Sequence, residues 1–215
     1  MKRLVIFDLD GTLLNTIEDL ANSTNYSLKQ NGFPTHEICE YNYFVGNGIN
    51  KLFERALPEG AKTEENILRI RELFLKHYDV HNADYSVPYP GIVDLLQQLQ
   101  QKGLLLAVAS NKYQSATEKL VAHYFPQIRF ALVLGQREGV PTKPDPSIVE
   151  SILEFTEVAK ADTLYVGDSG VDMQTALNSG VDSCGVTWGF RPLSELMEFS
   201  PSYIVNSPDQ ILSIV

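Results

Sequence analysis

Two aspartates stand one residue apart directly after the first apolar segment of the chain, within the stretch VIFDLDGTLLNT. Asp8 and Asp10 follow four apolar residues, 4–7, and Thr12 comes two residues later. A strand ends in a turn, so carboxylates at this spacing can address one pocket. Each is a candidate ligand for a hard cation, provided that other acids meet it there.

Polar residues also follow three later apolar segments. These residues are Ser110, Asn111 and Lys112, then Lys143, and finally Asp168, Ser169 and Asp172. Any one of them alone is more often a helix cap, a turn former or a solvated side chain. Their coincidence carries the argument, because ligands of a parallel sheet gather beyond the carboxyl ends of its strands. Three or four carboxylates at that edge would repel one another unless a cation lay among them.

The chemistry of these residue types points to one cation and one kind of substrate. Ligands that offer only oxygen atoms select a hard cation, and Mg²⁺ is the expected one. The remaining lysine and hydroxyl suit a phosphoryl group bound to that metal. The sequence thus predicts a Mg²⁺ and phosphate site at the edge of a sheet.

The elements that would position these residues alternate along the chain. Short apolar runs predict strands buried on both faces of a parallel sheet; they occupy residues 4–7, 104–109, 131–134, 164–166, 184–187 and 203–205. Helical patterns lie between them, for example at 91–103 and 171–180. The alternation predicts an α/β fold with right-handed crossovers, a Rossmann-like parallel-sheet core.

The alternation fails between residues 15 and 85, where no convincing strand occurs and two apolar stripes have helical spacing. We therefore expect a helical insert (residues 15–85) and an α/β core formed by residues 1–14 and 86–215. The insert is either a separate lobe or a set of extra helices on the sheet, and its length favours a lobe.

Composition limits the partners of the protein. The 215 residues are 44% hydrophobic and 20% charged, as in a folded globular protein. The net charge of −10 argues against a nucleic-acid or anionic-membrane partner. Cys39 and Cys184 lie far apart in the sequence and fit a reducing compartment. No segment has signal-peptide or transmembrane character, so we expect a cytoplasmic protein. For the oligomeric state we expect a monomer or homodimer.

Four segments together resemble the motifs, in order, of the haloacid dehalogenase-like phosphohydrolases. They are DLDGTLLNT, AVASNK, TKPDP and VGDSGVDMQTALNSG, and the resemblance covers the whole chain. Two further segments, YFVGNGINKLFERAL and PYPGI, resemble phosphoglycolate phosphatases and their pyrophosphatase relatives. Asn15 departs from the pattern, since many relatives carry Asp there, but it lies beyond the catalytic pair.

The resemblance implies a role for each catalytic residue. Asp8 is the nucleophile that forms a phosphoaspartate, and Asp10 is the acid that protonates the leaving alkoxide and then the base that acts on water. Ser110 donates to a phosphoryl oxygen, and Lys143 neutralises the charge of the phosphoryl group and Asp8. The substrate-binding residues predicted in this way are Thr12, Ser110, Asn111, Lys143, Gly46, Asn47 and Gly48.

The resemblance also implies a metal site and a mobile cap. Asp8, the carbonyl of Asp10 and Asp168 would hold Mg²⁺, with Asp172 as an occasional ligand or a neighbour of one. The helical insert would be the family's cap domain, which excludes water when it closes. The VGNG stretch at 45–48 could present N–H groups to an anion or be a plain turn.

The leading hypothesis is a Mg²⁺-dependent phosphatase of a small metabolite, with 2-phosphoglycolate as the expected substrate. A pyrophosphatase and a β-phosphoglucomutase-like enzyme of the same fold are the alternatives among enzymes. A non-catalytic phosphate-binding regulator is disfavoured, because the set of polar residues is intact.

Overall fold

The computed structural model of the protein describes all residues, 1–215. The strands are β1 (Leu4–Phe7), β2 (Leu14–Asn15), β3 (Val87–Pro88), β4 (Leu105–Tyr113), β5 (Leu132–Gln136), β6 (Thr163–Gly167), β7 (Asp182–Val186) and β8 (Tyr203–Val205). The α-helices are α1 (Ile17–Gln30), α2 (Tyr41–Phe44), α3 (Ile49–Ala56), α4 (Glu64–His81), α5 (Ile92–Gln101), α6 (Gln114–Tyr124), α7 (Ser147–Thr156), α8 (Gly170–Ser179) and α9 (Leu193–Met197).

Six strands form one parallel sheet in the order β5-β4-β1-β6-β7-β8. The central strand β1 is fully buried, because one hydrophobic cluster covers each face of the sheet. Helices α5 and α6 contribute to one cluster and helices α7 and α8 to the other. Burial on both faces explains why these strands read as continuous apolar runs. The predicted α/β fold class is confirmed.

Strand β4 is longer than the apolar run from which it was predicted. The sequence placed Ser110 and Asn111 after a strand at 104–109, but the strand continues through them to Tyr113. Its pairing with β5 shifts register between Ala109 and Tyr113. A local irregularity of this kind interrupts regular pairing and changes the direction of the side chains. The polar residues at the end of a buried strand can then face a site.

Helices α1 to α4 occupy the helical insert and share a hydrophobic cluster of their own. Its largest fully buried side chains include Tyr41, Phe53, Phe74 and Tyr78. Phe74 and Tyr78 lie one turn apart on α4 and their rings stack at 5.0 Å. Of the buried residues in this cluster only Ala116 comes from the core, which favours the lobe over helices laid on the sheet. The boundaries at residues 15 and 85 stay a prediction.

The two ends of the helical insert are joined side by side. Strands β2 and β3 pair as a short antiparallel ribbon. Behind the ribbon, the buried Asp19 carboxylate accepts hydrogen bonds from the backbone N–H groups of Tyr85 and Ser86, and from the Ser86 hydroxyl at 2.6 Å. Backbone donors bound to a buried carboxylate fix the exit of the insert next to its entrance.

Candidate active site

Three buried carboxylates meet beyond the carboxyl ends of β1 and β6. One oxygen from each of Asp8, Asp168 and Asp172 lies within 4.8 Å of the others. Asp8 follows β1, Asp168 follows β6, and Asp172 lies in the first turn of α8. Ser169 caps that helix, and its hydroxyl donates to Asp172 at 2.5 Å. The structure thus brings together three of the acids that the sequence placed at one sheet edge.

Lys143 is the one ammonium group bonded to these acids. Its Nζ donates to Asp8 Oδ1 at 2.8 Å and to Asp172 Oδ1 at 2.7 Å, and the side chain is only 2% exposed. The Ala109 carbonyl and the Tyr165 hydroxyl complete its shell, each at 3.0 Å. Burial alone would lower the pKa of Lys143, but the Asp172 and Asp8 carboxylates raise it well above its usual value.

The three acids carry more negative charge than Lys143 can balance. Burial raises the pKa of Asp8 to about 7, although Lys143 opposes the shift. Burial and the charges of Asp172 and Asp8 also raise the pKa of Asp168 well above its usual range. The potential ligand atoms of Asp8, Asp168 and Asp172 are all oxygen. We call these three acids the trio, and it fits a hard divalent cation. The carboxylate of Asp10 is not part of the trio, and its carbonyl as a metal ligand stays a prediction.

The Asp168 carboxylate is held by the loops around it. Thr12 donates its hydroxyl to Asp168 Oδ1 at 3.2 Å, and the Phe190 N–H donates to Oδ2 at 2.7 Å. Gly11 has a φ of +89°, and a Cβ there would lie 2.3 Å from Asp168 Oδ2. The sequence placed Thr12 among the substrate-binding residues, whereas the structure places its fully buried hydroxyl against Asp168. Thr12 therefore positions one carboxylate of the buried trio.

Asp10 lies to the side of the trio, in a different network. Its Oδ1 accepts from the Thr16 hydroxyl at 2.7 Å, and Lys112 Nζ donates to its two oxygens at 3.1 and 3.2 Å. Lys112 was absent from the predicted site. Strand periodicity could have found it, because residues i and i+2 of a strand share a face and Lys112 stands two residues after Ser110.

The two residues before Lys112 differ in how much of their hydrogen-bonding capacity is used. Ser110 Oγ accepts from the Lys112 N–H at 3.2 Å, which leaves its hydroxyl proton free to donate to a ligand. The Asn111 side chain makes one hydrogen bond to the helical insert and two within the core. Its amide donates to the carbonyls of Gly46 and Lys143, and it accepts from the Lys143 N–H. Substrate binding by Asn111 stays a prediction.

A cavity of about 40 Å³ lies between the core and the helical insert, above Asp8 and Asp10. We call it the interface cavity, and its walls are Asp8, Asp10, Leu20, Val45, Gly46, Gly48, Ile49, Leu52, Phe74, Tyr78, Ser110, Asn111, Lys112 and Tyr113. Gly46 and Gly48 thus line the cavity, and substrate binding by them stays a prediction. The Asn47 side chain instead accepts from Arg55, which holds the turn.

The loop after β7 borders the site from the core side, with Phe190 and Arg191 beside Asp8, Asp10 and Asp168. Arg191 donates to the carbonyls of Val45 and Tyr43 in the helical insert, at 3.0 and 3.3 Å. Trp188 donates to the Thr12 carbonyl at 3.0 Å. Irregular loops have no periodic pattern, so only the position after a strand end could have marked these residues.

The chain belongs to the haloacid dehalogenase-like hydrolases, whose family model matches residues 5–186. A phosphoglycolate phosphatase of Mesorhizobium japonicum is 30% identical over 97% of this chain and 92% of its own length. One of Vibrio parahaemolyticus is also 30% identical, over 99% of this chain and 96% of its own length.

Solved structures share the whole fold. A structure from Lactobacillus delbrueckii subsp. bulgaricus matches with a TM-score of 0.93 and 32% identity, over 100% of this chain and 98% of the other. A predicted phosphoglycolate phosphatase from Haemophilus somnus matches with a TM-score of 0.92 and 28% identity, over 99% and 97%.

These comparisons confirm the family and the phosphatase class that were predicted from the motifs. A buried acidic group that could hold a metal ion is present, as the family leads one to expect. None of the helices combines the length and the apolar character that crossing a membrane requires.

Proposed function

We propose that the protein hydrolyses 2-phosphoglycolate with Mg²⁺, through a phosphoaspartate on Asp8. One observation carries the proposal: Asp8 is bonded to Lys143 at 2.8 Å, lies among the carboxylates of the trio, and lines a small cavity. A nucleophile, a charge-neutralising lysine and a metal-binding group are thereby held in one place.

The chain's own residues account for the steps of the reaction. Asp8 attacks phosphorus and the P–O bond to the leaving group breaks. Lys143 receives part of the charge on the phosphoryl oxygens, and Ser110 donates to one of them. Asp10, held by Thr16 and Lys112, gives its proton to the leaving alkoxide and later takes one from the water that hydrolyses the phosphoaspartate.

The acidic trio fits the metal that the family leads one to expect. Asp8 and Asp168 would hold Mg²⁺, with the Asp10 carbonyl and with Asp172 close by. When bound, the ion supplies positive charge that lets an anionic phosphoester approach a protein of net charge −10.

The interface cavity supports a small leaving group. At about 40 Å³ it has room for roughly three water molecules, by the usual volume that one water needs. A hexose would require the helical insert to move far outward, so the mutase alternative has less support. The curated relatives are named for the substrate that we propose.

A substrate panel with purified protein tests the proposal. We expect kcat/KM for 2-phosphoglycolate to exceed that for p-nitrophenyl phosphate, pyrophosphate and β-glucose 1-phosphate, and chelation to abolish all activity until Mg²⁺ is added. A clear preference for pyrophosphate or a sugar phosphate would remove the substrate assignment and leave the catalytic residues standing. Full activity in excess chelator would show that the reaction does not require Mg²⁺.

The cellular compartment of the enzyme is also a proposal. Cys39 and Cys184 are both unpaired, as in proteins of a reducing compartment, and this supports the cytoplasm. The expectation of a monomer or homodimer stays a prediction.

A further inference from the structure

The wall of the interface cavity includes a polar side chain that has neither a role in the proposed reaction nor a hydrogen-bond partner. Tyr78 on α4 is fully buried, and its hydroxyl has no hydrogen-bond partner. A buried hydroxyl without a partner costs free energy, so a native protein retains one where a ligand supplies the partner or where a function requires it. Burial raises the pKa of Tyr78 well above its usual value, so the group stays a proton donor.

One cation packs over the ring that bears this hydroxyl. Lys112 is the only lysine or arginine in the cavity wall, and its Nζ lies 4.7 Å from the centroid of the Tyr78 ring. The Lys112 ammonium has three N–H donors and already donates to the two oxygens of the Asp10 carboxylate, so it can donate to a further acceptor. Lys112 from the core and Tyr78 from the helical insert thus bring a positive charge and a free hydroxyl to one small space.

The rest of the wall on the side of the helical insert is apolar. Leu20, Ile49, Leu52 and Phe74 surround the two polar groups. An apolar wall strengthens a charge-assisted hydrogen bond made inside it and makes an unpaired charge expensive. This space therefore suits an anion that fits both donors, and it disfavours a neutral polar group.

We propose that Lys112 and Tyr78 form a carboxylate subsite for the leaving group of the substrate. The inference rests on the proposed function, because it assigns the acid end of a phosphorylated hydroxy acid to these two donors.

The test compares a charged and a neutral leaving group of similar size, in 2-phosphoglycolate and ethyl phosphate. The variant is Tyr78→Phe, which removes the hydroxyl and keeps the ring beneath Lys112. The matched control is Tyr113→Phe, on the same cavity wall, because the Tyr113 hydroxyl already donates to Asp79 at 3.0 Å. Tyr78→Phe removes no existing hydrogen bond, so its melting temperature should not fall, and this is measured first.

We expect the ratio of kcat/KM for 2-phosphoglycolate to that for ethyl phosphate to fall about 10- to 100-fold in Tyr78→Phe, as for one lost charge-assisted hydrogen bond. The ratio should not change in Tyr113→Phe. The inhibition constant of the product glycolate should rise in parallel in Tyr78→Phe only.

The two proposals fail in different ways. A wild-type protein that hydrolyses both esters equally well would remove the substrate assignment and the subsite together. A wild-type preference for 2-phosphoglycolate that Tyr78→Phe retains, with glycolate inhibition unchanged, would remove the subsite alone.

Discussion

Asp8 and Lys143 form the residue pair on which the proposed chemistry depends. Burial pushes the Asp8 carboxyl toward its neutral form, with a pKa of about 7, while the Lys143 ammonium at 2.8 Å favours the anion that must attack phosphorus. Lys143 also bonds Asp172, so one lysine fixes the orientation of two acids. A single buried cation thus serves both the nucleophile and the group next to the metal site.

Asp8→Asn should abolish turnover, because the amide is a far weaker nucleophile than the carboxylate. We expect kcat to fall at least about 10³-fold with the fold intact. Asp94→Asn, on the exposed face of α5, is the control and should keep full activity. In single turnovers of the wild-type protein with ³²P-labelled substrate, a rapid acid quench should trap label on Asp8. A protein that carries no label at any time during turnover would mean that water attacks the substrate directly.

Thr12→Val should weaken metal binding, because it removes the hydrogen bond to Asp168 while keeping the shape of the side chain. We expect the Mg²⁺ concentration for half-maximal activity to rise about tenfold, with kcat at saturating Mg²⁺ retained. Thr175→Val is the control, since that buried hydroxyl bonds only the Val171 carbonyl of its own helix. A fall in kcat with an unchanged Mg²⁺ requirement would return Thr12 to the phosphoryl group, where the sequence placed it.

At the scale of elements, the strands and helices predicted correctly from the sequence are those with a periodic or continuous pattern of apolar residues. Strands of the sheet are buried on both faces, so their apolar runs are visible, and Gly180 ends α8 at a φ of +69° where the pattern stops. Lys112 was left out of the predicted site because a lone lysine after a strand is usually solvated. Tyr78 gave no signal, since the sequence does not show whether a buried hydroxyl has a partner. Arg191 lies in a loop without periodicity.

Two core side chains hold the helical insert over the site. Arg191 bonds the carbonyls of Val45 and Tyr43, and Asn111 bonds that of Gly46. The loop that contains Arg191 also supplies the Phe190 N–H to Asp168. Closure of the insert and the geometry of the metal site therefore share one short loop.

Arg191→Met should loosen this closure, because the aliphatic stem remains while the charged donor is lost. We expect KM for the phosphoester to rise about tenfold, on the scale of hydrogen bonds from a charged group, with little change in the Mg²⁺ requirement. Arg69→Met, on the exposed face of α4, should change neither value. Limited proteolysis should cut the helical insert of Arg191→Met faster. Unchanged KM and proteolysis would show that these bonds do not hold the insert closed.

The balance of buried charge belongs to the molecule as a whole. The protein has a net charge of −10 and buries three acids around one lysine, an arrangement that opposes folding whenever the acids are ionised. A divalent cation in the trio removes that opposition. Stability, metal binding and pH should therefore be linked, and the direction of the linkage follows from the raised pKa of Asp8.

In chelator, the melting temperature should fall as the pH rises from about 4 to 7. Over this interval the folded protein keeps a proton on Asp8 that the unfolded chain has released, so the folded state binds more protons and loses stability with rising pH. The raised pKa of Asp168 acts in the same direction. Because Mg²⁺ binds the ionised acids, it should raise the melting temperature by roughly 5 °C or more at about pH 8 and far less at about pH 5.

Scanning calorimetry with and without Mg²⁺ at these two pH values measures the effect, and Asp8→Asn separates it from general charge repulsion. The variant lacks the ionisable group but keeps the other acids, so in chelator its melting temperature should change less with pH and should exceed that of the wild type at about pH 8. Mg²⁺ should stabilise it less, because one predicted ligand is gone. An equal gain from Mg²⁺ at both pH values, or the same pH dependence in both proteins, would show that Asp8 is not the buried group that links metal, proton and fold.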